Sequence, residues 1–347
     1  MIAMQTRTTM DTETRQRSTA SLLALAASCC LLIIGCRAER SEHTVREAGT
    51  AASDGSVAHT AFDPITWQPP ADSAIPNDSL GASIRRGLAI VMHTADSLPE
   101  YAPGNINCTN CHINGGRSVD AAPLAGSQAR FPKYMDRTGA VIGLADRVNY
   151  CFTRSLAGNR LPVESREMQD ILAYIAWLST GVPVGEGKAL AGAEGIRAMP
   201  ATLLGDRARG QAIFAGKCVA CHGPNGAGNP AIPPGIPALW GPKSFSVGAS
   251  MARQGKAASF IWHNMPYGQG KTLTPQEAFD VAAYVVAQPR PDSPGKEHDW
   301  PFGGTPADVP YTTNGHQAYN PPPSLRRANP ERSLVAAPAP APRSRSR

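Results

Sequence analysis

No apolar stretch in this 347-residue chain is long enough for an ordinary membrane span. The longest, Ala20 to Gly35, covers about sixteen residues, where a bilayer needs roughly 20. A strong surplus of one charge is also missing. The formal net charge is +6, and seven Lys/Arg against four Asp/Glu between Ser293 and the carboxyl end supply half of it. The charge therefore gives no argument for a nucleic-acid partner. Periodic apolar pattern is lacking in residues 37–77 and 292–347. Both read as segments outside the packed core: a flexible tether and a disordered tail rich in Pro, Ala and Arg.

What precedes the tether has the pattern of an export signal. Arg7, Arg15 and Arg17 lead into the apolar run, which ends Leu32-Ile33-Ile34-Gly35-Cys36. Residues 1–36 fit a secretory signal with a lipobox-like end, so Cys36 is expected to become a lipid-bearing amino terminus. The body would then sit on the periplasmic side of a bacterial membrane, anchored by lipid. A plain signal peptide would leave it soluble in the periplasm.

Two short motifs organise the rest. Cys108-Thr109-Asn110-Cys111-His112 recurs 110 residues later as Cys218-Val219-Ala220-Cys221-His222. Cys-x-x-Cys-His is the attachment signature of c-type haem. Two thiols reach the two vinyl groups of one porphyrin, and the next imidazole meets the iron from the same face. A lone copy could be a redox pair or half a zinc site. Two copies, each followed by a Gly-rich loop, point to two covalently bound haem c groups. Eight cysteines are then nearly accounted for: Cys29 and Cys30 lie in the signal, Cys36 takes lipid, and four take haem. Cys151 is left over.

Apolar residues at three-to-four spacing predict helices from Ser79 (Leu80, Ile84, Leu88) and over about 163–179 (Met168, Ile171, Leu172, Ile175). Two more are expected over 206–216 and 275–288, the last with Pro275 at its start and Pro289 beyond its end. Asp170-x-x-x-Tyr174 and Asp280-x-x-x-Tyr284 are again 110 residues apart. The expected fold is all-α: two tandem cytochrome c-like domains at 78–181 and 205–291, joined by an extended linker at 182–204.

His112 and His222 supply one axial ligand to each iron, and the opposite ligand largely sets potential and reactivity. In the second unit Met265 of Asn264-Met265-Pro266 is the candidate, 43 residues after His222; Met251, His263 and Lys243 are alternatives. In the first unit Cys151 falls 39 residues after His112, near the matching place, with Met135 and Met168 as rivals. A buried inert thiol is the commoner fate of a spare cysteine. Two independent arguments nevertheless converge on Cys151 as a ligand or a haem-facing group. Between Ile113 and Arg160 there are seven Lys/Arg against three Asp/Glu, a surplus suited to holding a small oxyanion by charge-assisted hydrogen bonds.

Residues 79–291 resemble the dihaem thiosulfate dehydrogenase family, which is also associated with tetrathionate reduction. The resemblance rests on both haem motifs, on Arg147-Val148-Asn149-Tyr150-Cys151-Phe152-x-Arg154-Ser155, on Leu161-Pro162, and on Tyr174-Ile175-Ala176-Trp177-Leu178-Ser179. Leu239-Trp240-Gly241-Pro242 and Asn264-Met265-Pro266 match as well. It implies that Cys151 ligates the active-site haem, that Arg137, Arg147 and Ser155 contact the sulfur oxyanion, and that the Met265 haem is the electron exit. Lys243 matches only weakly the lysine that exchanges with methionine in the family. The implied reaction joins two thiosulfates into tetrathionate and passes two electrons to a soluble c-type cytochrome or similar carrier. A non-catalytic dihaem carrier, or an oxidoreductase for another sulfur oxyanion, is the alternative.

Overall fold

The computed structural model describes residues 62–199, 203–232 and 235–315. The signal, Cys36, most of the tether and the far tail lie outside the described residues. Among the described residues six helices of seven residues or more carry the fold: α1 (Ser79–Met92), α2 (Leu144–Tyr150), α3 (Arg166–Trp177), α4 (Arg207–Lys217), α5 (Gln254–Asn264) and α6 (Pro275–Val286). The four expected helices correspond to α1, α3, α4 and α6, and each has a side-chain cap. Asp78 accepts from Gly81 N, Ser165 from Met168 N and Asp206 from Arg209 N, while Thr274 and Glu277 form a capping box behind Pro275. One small hairpin, β1 (Lys133–Met135) with β2 (Ala140–Ile142), interrupts the helical architecture. No helix of the described residues is long and apolar enough to cross a membrane.

The two halves share one crossing. α1 packs on α3, and α4 on α6, through a glycine that lets the backbones meet. A Cβ on Gly87 would stand 2.0 Å from the Asp170 carbonyl oxygen, and one on Gly210 would stand 1.9 Å from that of Asp280. Beside each glycine an arginine clamps the same aspartate. Arg86 Nε lies 2.7 Å from Asp170 Oδ2, and Arg209 Nε lies 2.7 Å from Asp280 Oδ2. A second nitrogen of each guanidinium reaches the other carboxylate oxygen, so both pairs are bidentate.

The first core gathers Ile90, Leu98, Phe152, Met168, Ile171 and Ile175. Each such side chain, fully buried, contributes about 1.5–3 kcal/mol. Phe245, Ala249 and Ala252 belong to the same core, although they follow the second haem motif. The expected second domain at 205–291 therefore lends part of itself to the first. Smaller cores surround Ala258, Phe279 and Ala282, and Phe214, Val281 and Val285.

Two expected boundaries shift. Residues 62–77, assigned to the tether, are docked: Ile75 is buried, Trp67 Nε1 donates to Thr180 O, and Asp72 pairs with Arg117. Residues 292–315, assigned to the tail, form a strap against the first domain. Ser293, Asp299, Trp300, Thr305 and Thr313 are all buried there. Single anchors between Gly and Pro turns hold this segment. Such an arrangement leaves no periodic signal to read.

Candidate active site

The first haem motif is a single helical turn, Cys108–Cys111, with a capping box between Asn107 and Asn110. Thr94 Oγ1 accepts from Cys108 N at 3.0 Å. After it the chain turns through Asn114, Gly115 and Gly116, all at positive φ. A Cβ on Gly116 would strike Leu124 at 2.5 Å, so glycine is required where loop meets wall. His112 Nδ1 donates to the carbonyl oxygen of Ala122. That bond orients the ring so that Nε2 is the nitrogen available to a metal.

Cys151 follows α2 directly. Residues Cys151–Ser155 form one π-helical turn, closed by Leu156 N donating to Cys151 O at 2.9 Å. Such turns occur often at functional sites. Asn149, fully buried, pins the turn by donating to Leu161 O and accepting from Leu161 N. Arg147, one helical turn before Cys151, places Nη1 3.1 Å from its sulfur.

Cys108, Cys111, His112, Cys151 and Ser155 line a single cavity walled by apolar groups such as Val91, Leu124 and Ile171. The three thiols are not equivalent. Burial pushes Cys108 up to about 11 and Cys111 up to about 12. Burial also acts upward on Cys151, but the charge of Arg147 and a hydrogen bond with His112 outweigh it and bring the thiol down to about 6. Of the three, only Cys151 is shifted toward its thiolate form. This donor set fits a c-type haem. Two thiols stand ready for thioether bonds, and the His112 imidazole and the Cys151 sulfur line the same cavity. Buried anion-seeking groups fit as well: Arg130 Nε and Nη1 are enclosed without partners, while Nη2 binds Ser127 Oγ and Pro123 O.

The basic surplus divides into two sets. Burial lowers Lys133, and Arg130, Arg147 and Lys188 lower it further, so these cations converge on one region beside Cys151. Arg137 is placed otherwise. It is not among the cavity-lining residues; it bonds Asp299 Oδ2 at 2.9 and 2.8 Å, Gly248 O and Tyr311 OH at 2.6 Å, and stacks on Trp300. The structure therefore brings Arg147 and Ser155 to Cys151 and engages Arg137 elsewhere. The sequence reading passed over Arg130 and Lys133 individually, although both counted toward its charge surplus.

In the second half Cys218 ends α4, and the turn Val219–His222 follows. His222 Nδ1 lies 3.3 Å from Pro237 O, the counterpart of the His112 bond. Phe214, Trp240 and Tyr284 form an aromatic cluster beside it. Met265 closes α5 and packs among Ala121, Ile196 and Phe260. Among the alternatives, Met251 and Met168 pack in the first core, Met135 lies in β1, His263 is buried next to Asp120, and Lys243 is exposed.

Residues 100–184 match the family model described as "SoxA/TsdA, cytochrome c domain", and residues 207–288 match "Cytochrome c". The thiosulfate dehydrogenase of Psychrobacter arcticus is 39% identical over 278 residues, covering 79% of this chain and 83% of its own. That of Allochromatium vinosum is 39% identical over 244 residues, covering 68% and 89%. The solved thiosulfate dehydrogenase (TsdBA) of Marichromatium purpuratum superposes with a TM-score of 0.60 at 33% identity over 66% of this chain, which spans half the length of that one. The paired haem-attachment motifs, the Cys151 turn and these likenesses together establish that the chain belongs to the thiosulfate dehydrogenase family of c-type cytochromes and carries two c-type haems.

Proposed function

We propose that the protein oxidises thiosulfate at the Cys151 cavity, joining two molecules into tetrathionate. One S–S bond forms between two sulfane sulfurs, no proton is exchanged, and two electrons leave. The observation that carries this reading is the Cys151 thiolate, held by Arg147 opposite His112 in a cavity that also contains both attachment thiols. Thiosulfate is a dianion, so bringing two together requires positive charge at close range. Arg147, with Arg130 and Lys133 beside it, supports that requirement. Ser155, on the cavity wall, can donate a hydrogen bond to a sulfonate oxygen. Apolar walls keep water away and strengthen each of these interactions.

When bound, two c-type haems would supply one-electron acceptors: His112 and Cys151 would hold the first, His222 and Met265 the second, and a soluble c-type cytochrome or similar carrier would take the electrons. The periplasmic location and the lipid on Cys36 belong to the same proposal, supported by the apolar run ending at Cys36. Mass spectrometry of the mature amino terminus tests it: an acylated Cys36 agrees, an unmodified one does not. The reaction itself is tested by stoichiometry. Two thiosulfates should disappear, and two equivalents of ferricytochrome c should be reduced, for each tetrathionate formed. Cytochrome c reduction by electrons from another donor, with thiosulfate unconsumed, would leave only an electron carrier.

A further inference from the structure

Resting on the thiosulfate reading, we infer that the strap at 292–315 is part of the active site, with Asp299 as the positioning residue that fixes the turn carrying Cys151 and Ser155. Arg154 is the fourth residue of that turn. Its carbonyl oxygen accepts from Ser246 N at 3.2 Å and Ser246 Oγ at 2.7 Å. Its guanidinium lies over the Tyr150 ring at 4.4 Å and pairs with Asp299 Oδ1. Both the backbone and the side chain of the turn are thus held from outside the first domain. The other Asp299 oxygen takes Arg137 twice and accepts from Tyr311 OH at 2.7 Å. Trp300 N completes the seam by donating to Arg137 O at 2.9 Å.

Asp299 is 2% exposed and holds two guanidiniums with one carboxylate. In this arrangement Arg137 and Arg154 are structural cations. The charge left at the Cys151 sulfur is that of Arg147, with Arg130 and Lys133 near it. The strap thereby engages Arg137 and Arg154 and leaves Arg147 on the Cys151 sulfur.

Asp299→Asn in the full-length holoprotein keeps the shape and removes the charge. Both haems stay attached, and the low-temperature paramagnetic resonance signal of the first haem splits or shifts. The kcat for thiosulfate falls about 10- to 100-fold, as expected for a misplaced reacting group, while KM changes less. An unchanged spectrum with unchanged kcat overturns the inference. A rise in KM alone also overturns it, because Arg137 and Arg154 would then be substrate contacts. Tyr311→Phe removes one hydrogen bond from the same carboxylate and keeps its charge; it serves where Asp299→Asn fails to accumulate. A smaller shift of the same signal supports the inference, and none overturns it. The spectrum is read without thiosulfate, so a wild type inactive on thiosulfate would defeat the functional reading and leave this test standing.

Discussion

Cys151 differs from Cys108 and Cys111 because of two neighbours, Arg147 and His112. All three are buried in the same apolar cavity, which by itself disfavours the thiolate. Arg147, 3.1 Å from its sulfur, and His112 together reverse that for Cys151 alone. Replacing Arg147 by Leu should lower kcat/KM for thiosulfate roughly 100-fold, the loss typical of a single donor to a developing anion. Haem content, measured by pyridine haemochrome, should be unchanged. A change below about threefold in kcat/KM would remove Arg147 from the machinery. Lysine should rescue only in part, since a point charge cannot reproduce the planar fork of donors. Sequence alone made Cys151 legible, because cysteine arithmetic and the repeat both end on it. It did not reveal that Arg137 is engaged by Asp299. The two residues are 162 positions apart, and nothing local in either segment announces the pairing.

The helices readable in the sequence are those with side-chain caps: α1, α3, α4 and α6. α2 is only seven residues long and runs directly into the π turn, too short for a periodic pattern to stand out. The paired crossings yield two tests. Gly87→Ala would drive a Cβ into the Asp170 carbonyl, and since this is backbone against backbone it should destabilise by at least about 2 kcal/mol. A urea midpoint equal to wild type would contradict the close approach.

Asp170 itself gives a pH dependence. Burial raises its carboxyl, but hydrogen bonds from Arg86 and Ser83 prevail and hold it below the usual carboxylate range. A folded-state value below the unfolded value, about 3.9, means the contribution is complete above that value and is lost as pH falls through the folded one. Asp170→Asn should therefore be less stable than wild type at pH 7, with the gap closing below about pH 4. A gap that does not narrow as pH falls below about 4 would contradict the assignment.

At the scale of the molecule, the repeat makes two domains but the packing does not keep them apart. Phe245, Ala249 and Ala252 complete the first core. Asn105 donates to Lys243 O and Ala227 O and accepts from Ala238 N, Asn110 donates to Gly235 O, and Asn264 donates to Asp120 O. The strap ties a further stretch of late chain to the Cys151 turn. The holoprotein should unfold in one calorimetric transition, and two well-separated transitions would show the halves to be independent.

The central claim is that chemistry resides in the first half, at Cys151, and electron exit in the second. The most direct measurement is steady-state thiosulfate oxidation by Cys151→Gly at matched haem content. This variant should keep two attached haems and show no detectable turnover. Turnover near the wild-type rate with Cys151 gone would contradict it.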